Sequence, residues 1–200
     1  MSKEVRIYEM KATEVKDGNY IYGYAALFNS MSEELYGFKE IIDPGAFDQA
    51  DISDVRALFN HDNNLLLART KSGTLDIEID GNGLRYEFEA PNTSYGKDLV
   101  ELMKRGDVTQ SSFGFTIASD GEYWEVRDGE MPIRHITRVQ KLYDVSPVTY
   151  PAYSDTSVAV RSLEAFIAQK AHVEKEKEFD AEKHYELYSK ELNLKGKLIK

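Results

Sequence analysis

The chain has 200 residues, of which 42% are apolar and 30% are charged, and its net charge is −10. This composition suits one soluble domain with an appendage, and because the sequence has neither a bilayer-spanning apolar run nor a secretory signal pattern, we expect a cytoplasmic protein without membrane association. The absence of cysteine excludes disulfides, a thiol nucleophile and a cysteine zinc site.

The charge is distributed unevenly along the chain. Residues 161–200 contain nine basic and eight acidic residues, which leaves 16 basic and 27 acidic residues, about −11, in residues 1–160. A body with this charge repels nucleic acid, so we expect no nucleic-acid partner. Neither the histidine spacing nor any acidic cluster resembles a metal site, so we predict no metal and no cofactor.

The first part of the chain is typical of short strands separated by turns. Branched and aromatic residues predict strands over Val5–Met10 and Tyr20–Phe28. The compact apolar run Val55–Phe59 predicts a buried strand, and His61 lies just past its end. Loops after strands commonly carry functional residues, because a rigid scaffold positions them.

The middle of the chain contains the clearest local signals. Apolar and polar residues alternate over 75–79 and over 84–89, and the turn sequence Asp80-Gly81-Asn82-Gly83 between them predicts a hairpin. A capping sequence, a short apolar stripe and then Gly106 predict a helix from about Ser94 to Arg105.

The remaining sequence changes character near residue 160. We predict a strand that carries Ser112, followed by strands over Tyr123–Arg127 and Ile133–Thr149. Helix formers dominate residues 161–200, where apolar residues recur at helical spacing. We therefore predict a mainly β, α+β protein with one domain over 1–160 and a helical tail over 161–200.

Three side chains are candidates for nucleophilic catalysis. Ser112 carries a hydroxyl and His61 is the kind of base that activates one, although a core serine and a structural histidine are the commoner roles of such residues. Asp144 lies inside a strand-like run, where a carboxylate is unexpected unless it has a partner or faces solvent. The chain order histidine, serine, acid matches none of the familiar triads, so spacing alone leaves the question open.

A resemblance to a known family adds to these residues. In order and spacing, segments over most of the first 155 residues resemble the tailed-phage prohead proteases. The matching segments are Gly23-Tyr24-Ala25, Phe28-Asn29, Ile42-Asp43-Pro44-Gly45-Ala46-Phe47, Leu58-Phe59-Asn60-His61-Asp62, Leu67-Ala68-Arg69-Thr70, Arg105-Gly106-Asp107-Val108, Ser112-Phe113-Gly114-Phe115 and Leu142-Tyr143-Asp144-Val145-Ser146-Pro147-Val148-Thr149-Tyr150-Pro151-Ala152-Tyr153.

The resemblance implies a fold and a set of site residues. The fold is that of herpesvirus assemblin, a closed or nearly closed β-barrel with helices packed outside. The family positions fall on His61, Ser112 and Asp144. The chain departs from the family at Ser111, a second hydroxyl beside Ser112, and at Asp144, where glutamate is usual. His135 is an alternative third member, because assemblin uses a second histidine there.

The resemblance also implies a function. It indicates a serine endopeptidase that cleaves scaffold or capsid-precursor segments during prohead maturation and cleaves itself. Such a reaction needs an oxyanion hole made of backbone N–H groups or a nearby arginine, and Arg138 is the arginine candidate by its position. The expected partners are the major capsid protein precursor, scaffold segments and a second copy in a homodimer. The expected location is inside the immature capsid, in the cytoplasm of the bacterial host. The alternatives are a non-catalytic assembly factor that binds coat or scaffold protein, and a ligand-binding β-barrel.

Overall fold

The chain divides into two compact units, with Met1–Val158 in the first and Ala159–Lys200 in the second. The computed structural model describes residues 3–8, 13–16, 18–35, 37–127, 129–150 and 160–169. The described part of the second unit is a helix over 160–169. The rest of the predicted helical tail lies outside the described residues, and the predicted domain limits stay predictions. Among the described residues, none of the helices, which include a 3-10 turn over Thr70–Ser72, is long and apolar enough to span a membrane.

The first unit consists mainly of short strands, which agrees with the predicted α+β class. In chain order the described strands are β1 (Glu4–Tyr8), β2 (Thr13–Lys16), β3 (Tyr20–Leu27), β4 (Lys39–Ile42), β5 (Arg56–Leu58), β6 (Leu66–Arg69), β7 (Asp76–Ile79), β8 (Gly83–Glu89), β9 (Gln110–Ile117), β10 (Glu122–Glu125), β11 (Ile133–Ile136) and β12 (Val139–Val148). One longer helix, α1 (Ser94–Arg105), lies between β8 and β9.

The described strands form three sheets. A five-stranded sheet has the order β1-β9-β12-β5-β6, a four-stranded sheet has the order β2-β3-β8-β7, and a three-stranded sheet has the order β10-β11-β4. Within the described residues hydrogen bonding stops at the outer strands of each sheet, so no closed barrel forms. The expectation of an assemblin-like closed barrel is therefore not confirmed.

The hairpin and the helix form where their local signals predict them. Strands β7 and β8 pair antiparallel with Ile77 opposite Tyr86, and Asp80 Oδ1 accepts the backbone N–H of Asn82 at 2.7 Å to close the turn. Thr93 caps α1 by accepting the N–H of Gly96 at 3.1 Å. Gly106 ends the helix with a φ of +82°, a left-handed conformation that glycine adopts without strain.

The predicted strand over Ile133–Thr149 is two strands in the structure. The backbone N–H groups of Thr137 and Arg138 both donate to the carbonyl of Gly121, at 2.8 and 3.1 Å. A side chain at Gly121 would approach the Arg138 carbonyl to 2.1 Å, so only glycine allows this crossing. The chain thereby leaves the three-stranded sheet as β11 and enters the five-stranded sheet as β12.

Strand β9 separates the core from a second buried face. Phe113 and Phe115 pack into the hydrophobic core, where their rings stack with centroids 4.7 Å apart. Because side chains alternate along a strand, Ser112 and Gly114 point to the opposite face. That face carries the candidate site.

Candidate active site

The structure brings together the three side chains that the sequence singles out. His61 Nε2 lies 2.6 Å from Ser112 Oγ, and His61 Nδ1 makes a short hydrogen bond with Asp144 Oδ2. The imidazole thus bridges the hydroxyl and the carboxylate, although 51 residues separate His61 from Ser112 and 83 separate it from Asp144. We call Ser112, His61, Asp144 and the neighbouring Ser146 the Ser112 cluster.

The register of the five-stranded sheet fixes the hydroxyl and the carboxylate on one face. Strands β9 and β12 pair antiparallel, with Ser112 opposite Ser146 and Gly114 opposite Asp144. Residues two apart on a strand share a face, so Ser112 and Asp144 lie on the same side of adjacent strands. Strand β5 pairs parallel with β12 on the other side, and His61 follows three residues after its end.

The loop that carries His61 has an unusual backbone. Asn60 and His61 have φ angles of +55° and +58°, in the left-handed region that few residues other than glycine adopt. The Asn60 N–H donates to the Pro147 carbonyl at 3.1 Å, and its side-chain oxygen accepts the Thr149 N–H at 2.9 Å. These bonds to the end of β12 hold the loop in its strained conformation, so the imidazole points at Ser112.

The Ser146 hydroxyl and the Arg6 carbonyl make further contacts with the side chains of His61, Asp144 and Ser112. Ser146 Oγ lies 3.2 Å from both His61 Nδ1 and Asp144 Oδ2. Ser112 Oγ lies 2.8 Å from the Arg6 carbonyl, to which it can donate. A hydroxyl has one proton, so His61 Nε2 and the Arg6 carbonyl are alternative acceptors for the Ser112 proton.

The cluster is buried except at the imidazole. Ser112 and Ser146 are fully buried and Asp144 is 1% exposed, whereas 16% of the His61 side chain is exposed. Burial raises the pKa of the Asp144 carboxyl, but the hydrogen bond and charge of His61, followed by those of Lys3, lower that pKa below its ordinary value. Asp144 is therefore an anion at neutral pH, which allows it to stabilise an imidazolium.

This arrangement is suited to proton transfer. An imidazole with one nitrogen on a carboxylate is held in the tautomer whose other nitrogen can accept a hydroxyl proton. Within the described residues, no group of three or more histidine or acidic side chains is arranged to hold a metal ion.

Comparison with known proteins identifies the family. A family model described as caudovirus prohead serine protease matches residues 6–170. The chain belongs to this family. The prohead protease of Enterobacteria phage HK97 is 30% identical to this chain over 166 residues. The matched region covers 80% of this chain and 69% of the phage HK97 protein. No solved structure gives a significant match. The protease is accordingly a serine peptidase of the phage capsid maturation class, which favours the enzyme over the non-catalytic and ligand-binding alternatives.

The three alternative site residues of the protease lie elsewhere. Ser111 points to the interior, where its hydroxyl lies 2.9 Å from the Tyr86 hydroxyl. His135, on β11 of the three-stranded sheet, pairs with Asp43 at 2.9 Å between Nδ1 and Oδ1.

Arg138 pairs with Asp120 beside the end of β9. That end of the strand is five residues, or about 17 Å, from Ser112. The structure does not bring Ser111, His135 or Arg138 to the imidazole that contacts Ser112.

Sequence reasoning missed two contributors to the site. Ser146 carries a usable signal, because a residue two positions after Asp144 on a strand shares its face. Lys3 carries no such signal, because an isolated lysine near strand β1 is typical of a solvated surface.

Proposed function

We propose that the protease is an endopeptidase whose nucleophile is Ser112, whose general base is His61 and whose orienting acid is Asp144. The observation that carries this proposal is the single imidazole whose two nitrogens contact a buried hydroxyl and a buried carboxylate. The family match to serine proteases supports the same assignment.

The proposed reaction proceeds in two stages. Neutral His61 accepts the Ser112 proton at Nε2 while Oγ forms a bond to the carbonyl carbon of a substrate peptide. Asp144 stabilises the resulting imidazolium, which then gives its proton to the leaving amine as the C–N bond breaks. Water attacks the acyl-enzyme with His61 again as the base, and this step releases the acid product and restores the Ser112 hydroxyl.

The Arg6 carbonyl gives the resting enzyme a second proton acceptor. When the Ser112 hydroxyl donates its hydrogen bond to the Arg6 carbonyl, a lone pair of the hydroxyl oxygen, and not the hydrogen, faces His61. The proposed reaction begins only when the hydrogen turns to His61 Nε2, which lies 2.6 Å from the same oxygen.

The proposed substrates are the major capsid protein precursor and scaffold segments inside the immature capsid, together with the protease itself near its tail. Both the matched family and the HK97 relative are named prohead proteases, which supports a substrate within the prohead. We also propose that the protease works in the bacterial host cytoplasm as part of that particle and forms a homodimer there.

The test is cleavage of the cognate capsid precursor during co-expression. Ser112→Ala should leave the precursor uncut, because the acyl-enzyme cannot form. Ser111→Ala is the matched control, since it removes the adjacent hydroxyl from the other face of β9, and it should still cleave. If Ser112→Ala still cleaves the precursor, or if only Ser111→Ala fails to cleave it, Ser112 is not the nucleophile.

A further inference from the structure

Both oxygens of the Asp144 carboxylate have partners, and these come from two separate segments of the chain. Oδ2 accepts from His61, and Oδ1 forms an ion pair with Lys3 Nζ. Asp144 is almost fully buried, whereas the Lys3 side chain is 41% exposed. The lysine therefore reaches from the surface to the buried oxygen that faces away from the imidazole.

A glycine makes room for this contact. Gly114 lies between β1 and β12, opposite Val5 on one side and Asp144 on the other. A Cβ at Gly114 would lie 2.2 Å from Lys3 Cε and 2.6 Å from Asp144 Oδ1. Real Cβ atoms essentially never approach this closely, so the lysine and the carboxylate meet in space that only glycine leaves open.

Buried ion pairs hold the strand that follows Lys3. Arg6 Nε contacts Glu40 at 2.7 Å, and Arg134 Nη1 contacts Glu4 at 2.7 Å and Glu40 at 3.1 Å. We call Glu4, Arg6, Glu40, Glu122 and Arg134 the ionic cluster.

The side chains on the two faces of β1 contact different clusters. Because side chains alternate, Glu4 and Arg6 point to the interior with the ionic cluster, while Lys3 points to the face of Ser112 and Gly114. The ionic cluster thus fixes the position from which Lys3 reaches Asp144.

We propose that Lys3 is a positioning residue of the active site, which clamps Asp144 so that its second oxygen stays on His61. This inference rests on the proposed function of Ser112, His61 and Asp144. A half-exposed ion pair contributes little to folding, but this one restrains a buried carboxylate that has few other partners. Among the residues that the structure describes, Ser146 also contacts it, at 3.2 Å between Oγ and Oδ2.

The positive charge of Lys3 also affects proton transfer. Among the described residues, Lys3 and His61 pair with Asp144, and Arg56 lies opposite Asp144 on β5. Lys141 lies over the ring of the adjacent Tyr143 and pairs with Asp51. When a substitution removes the positive charge at position 3, the negative charge of Asp144 is less neutralised, and Asp144 stabilises the His61 imidazolium more strongly. Substitutions that remove the Lys3 charge should therefore move the acidic limb of the pH–rate profile, the side on which the rate falls with acid, to higher pH.

The test measures cleavage of the purified capsid precursor against pH with four variants of the full chain. Lys3→Met and Lys3→Gln remove the charge and should lower kcat about tenfold to a hundredfold, as a displaced catalytic group does, with the acidic limb moved upward. Lys3→Arg keeps the charge and should keep the limb in place. Lys141→Met is the matched control: Lys141 lies 5.7 Å from the Tyr143 ring and Lys3 lies 5.8 Å from it.

Urea unfolding separates this role from a structural one. A merely structural Lys3 would lower the free energy of unfolding in the two charge-removing variants and leave the acidic limb unmoved. Wild-type kcat and an unmoved limb in both charge-removing variants would overturn the clamp. If Ser112→Ala still cleaves, the proposed function fails instead, whatever the Lys3 variants show.

Discussion

The Ser112 cluster and the ionic cluster are both buried polar groups beside β1, yet they differ in chemistry. In the ionic cluster Glu4, Arg6, Glu40 and Arg134 are each at most 3% exposed, and their charges are paired with one another. Arginine stays charged at any ordinary pH. The Ser112 cluster instead centres on an imidazole, a group that can both accept and donate a proton, and the His61 side chain is 16% exposed.

This contrast shows that burial of polar groups does not by itself mark a catalytic site. The ionic cluster has charge without a movable proton, so it can fix β1 in place but cannot carry out acid–base chemistry. The Ser112 cluster has a proton with two acceptors and a base that reaches the surface. The backbone of β1 links them, because Arg6 pairs with Glu40 through its side chain and accepts from Ser112 through its carbonyl.

The largest expected effect comes from neutralising the carboxylate of the Ser112 cluster. Asp144→Asn should lower kcat by about 10⁴-fold, because the amide supports neither the required imidazole tautomer nor its cation. The measurement is precursor cleavage per folded molecule at neutral pH. A rate within tenfold of the wild type would mean that the Ser112 cluster works without its acid.

The next effect belongs to the ionic cluster and should fall on stability. Arg134→Met leaves the buried carboxylates of Glu4 and Glu40 to share the guanidinium of Arg6, so that one buried negative charge is uncompensated. The variant should lose about 3–5 kcal/mol in the free energy of unfolding. Arg138→Met is the control, because its ion pair is exposed and should contribute about 1 kcal/mol or less. Urea unfolding gives both values.

The same comparison predicts how activity responds. Precursor cleavage per folded Arg134→Met molecule should fall by no more than it does in Lys3→Met, because the ionic cluster reaches the active site only through the position of β1. A large loss of kcat with unchanged stability would contradict the division of roles between the two clusters.

The smallest effect is the response of stability to acid. Burial raises the pKa of Glu4, but its hydrogen bond with Arg134 and the charges of Arg6 and Arg134 lower it by more, so the pKa lies below its ordinary value. The pKa of Asp144 is lowered as well. Their stabilisation is present above the ordinary values of 4.5 and 3.8 and is lost as the pH falls through the lower folded values. The free energy of unfolding should therefore decrease with acid.

Asp144→Asn isolates one part of that acid response. Its unfolding free energy should fall less steeply than that of the wild type between about pH 5 and pH 2, because one carboxylate with a lowered pKa is missing. Equal slopes in urea unfolding would show that Asp144 gains no protection from His61 and Lys3.

The elements predicted from local signals agree with the structure. The hairpin of β7 and β8 and helix α1 depend on residues within a short stretch, such as the Asp80 turn and the Thr93 cap. By contrast, β4 escaped prediction because its four residues pair parallel with β11, far along the chain. The break between β11 and β12 depends on a contact with Gly121 that no local pattern shows.

For the candidate site, the sequence predicted the residues but not the contacts between them. His61, Ser112 and Asp144 were singled out by their residue types and by the family resemblance, whereas their meeting depends on the register of β5, β9 and β12. The ionic cluster was not predictable, because Glu4 and Arg6 alternate with apolar residues just as surface charges on a half-exposed strand do.

The contact between Lys3 and Asp144 joins residues 141 positions apart, which has a consequence for the timing of synthesis. At about 5–20 residues per second, on the order of ten seconds of translation separate the two residues. Strand β1 emerges before β9, its partner in the sheet, and Lys3 can contact Asp144 only after β12 has been made. A nascent chain therefore holds the proposed nucleophile, base and acid apart, and under the proposed mechanism peptide-bond cleavage can begin only in molecules whose domain has been translated as far as β12.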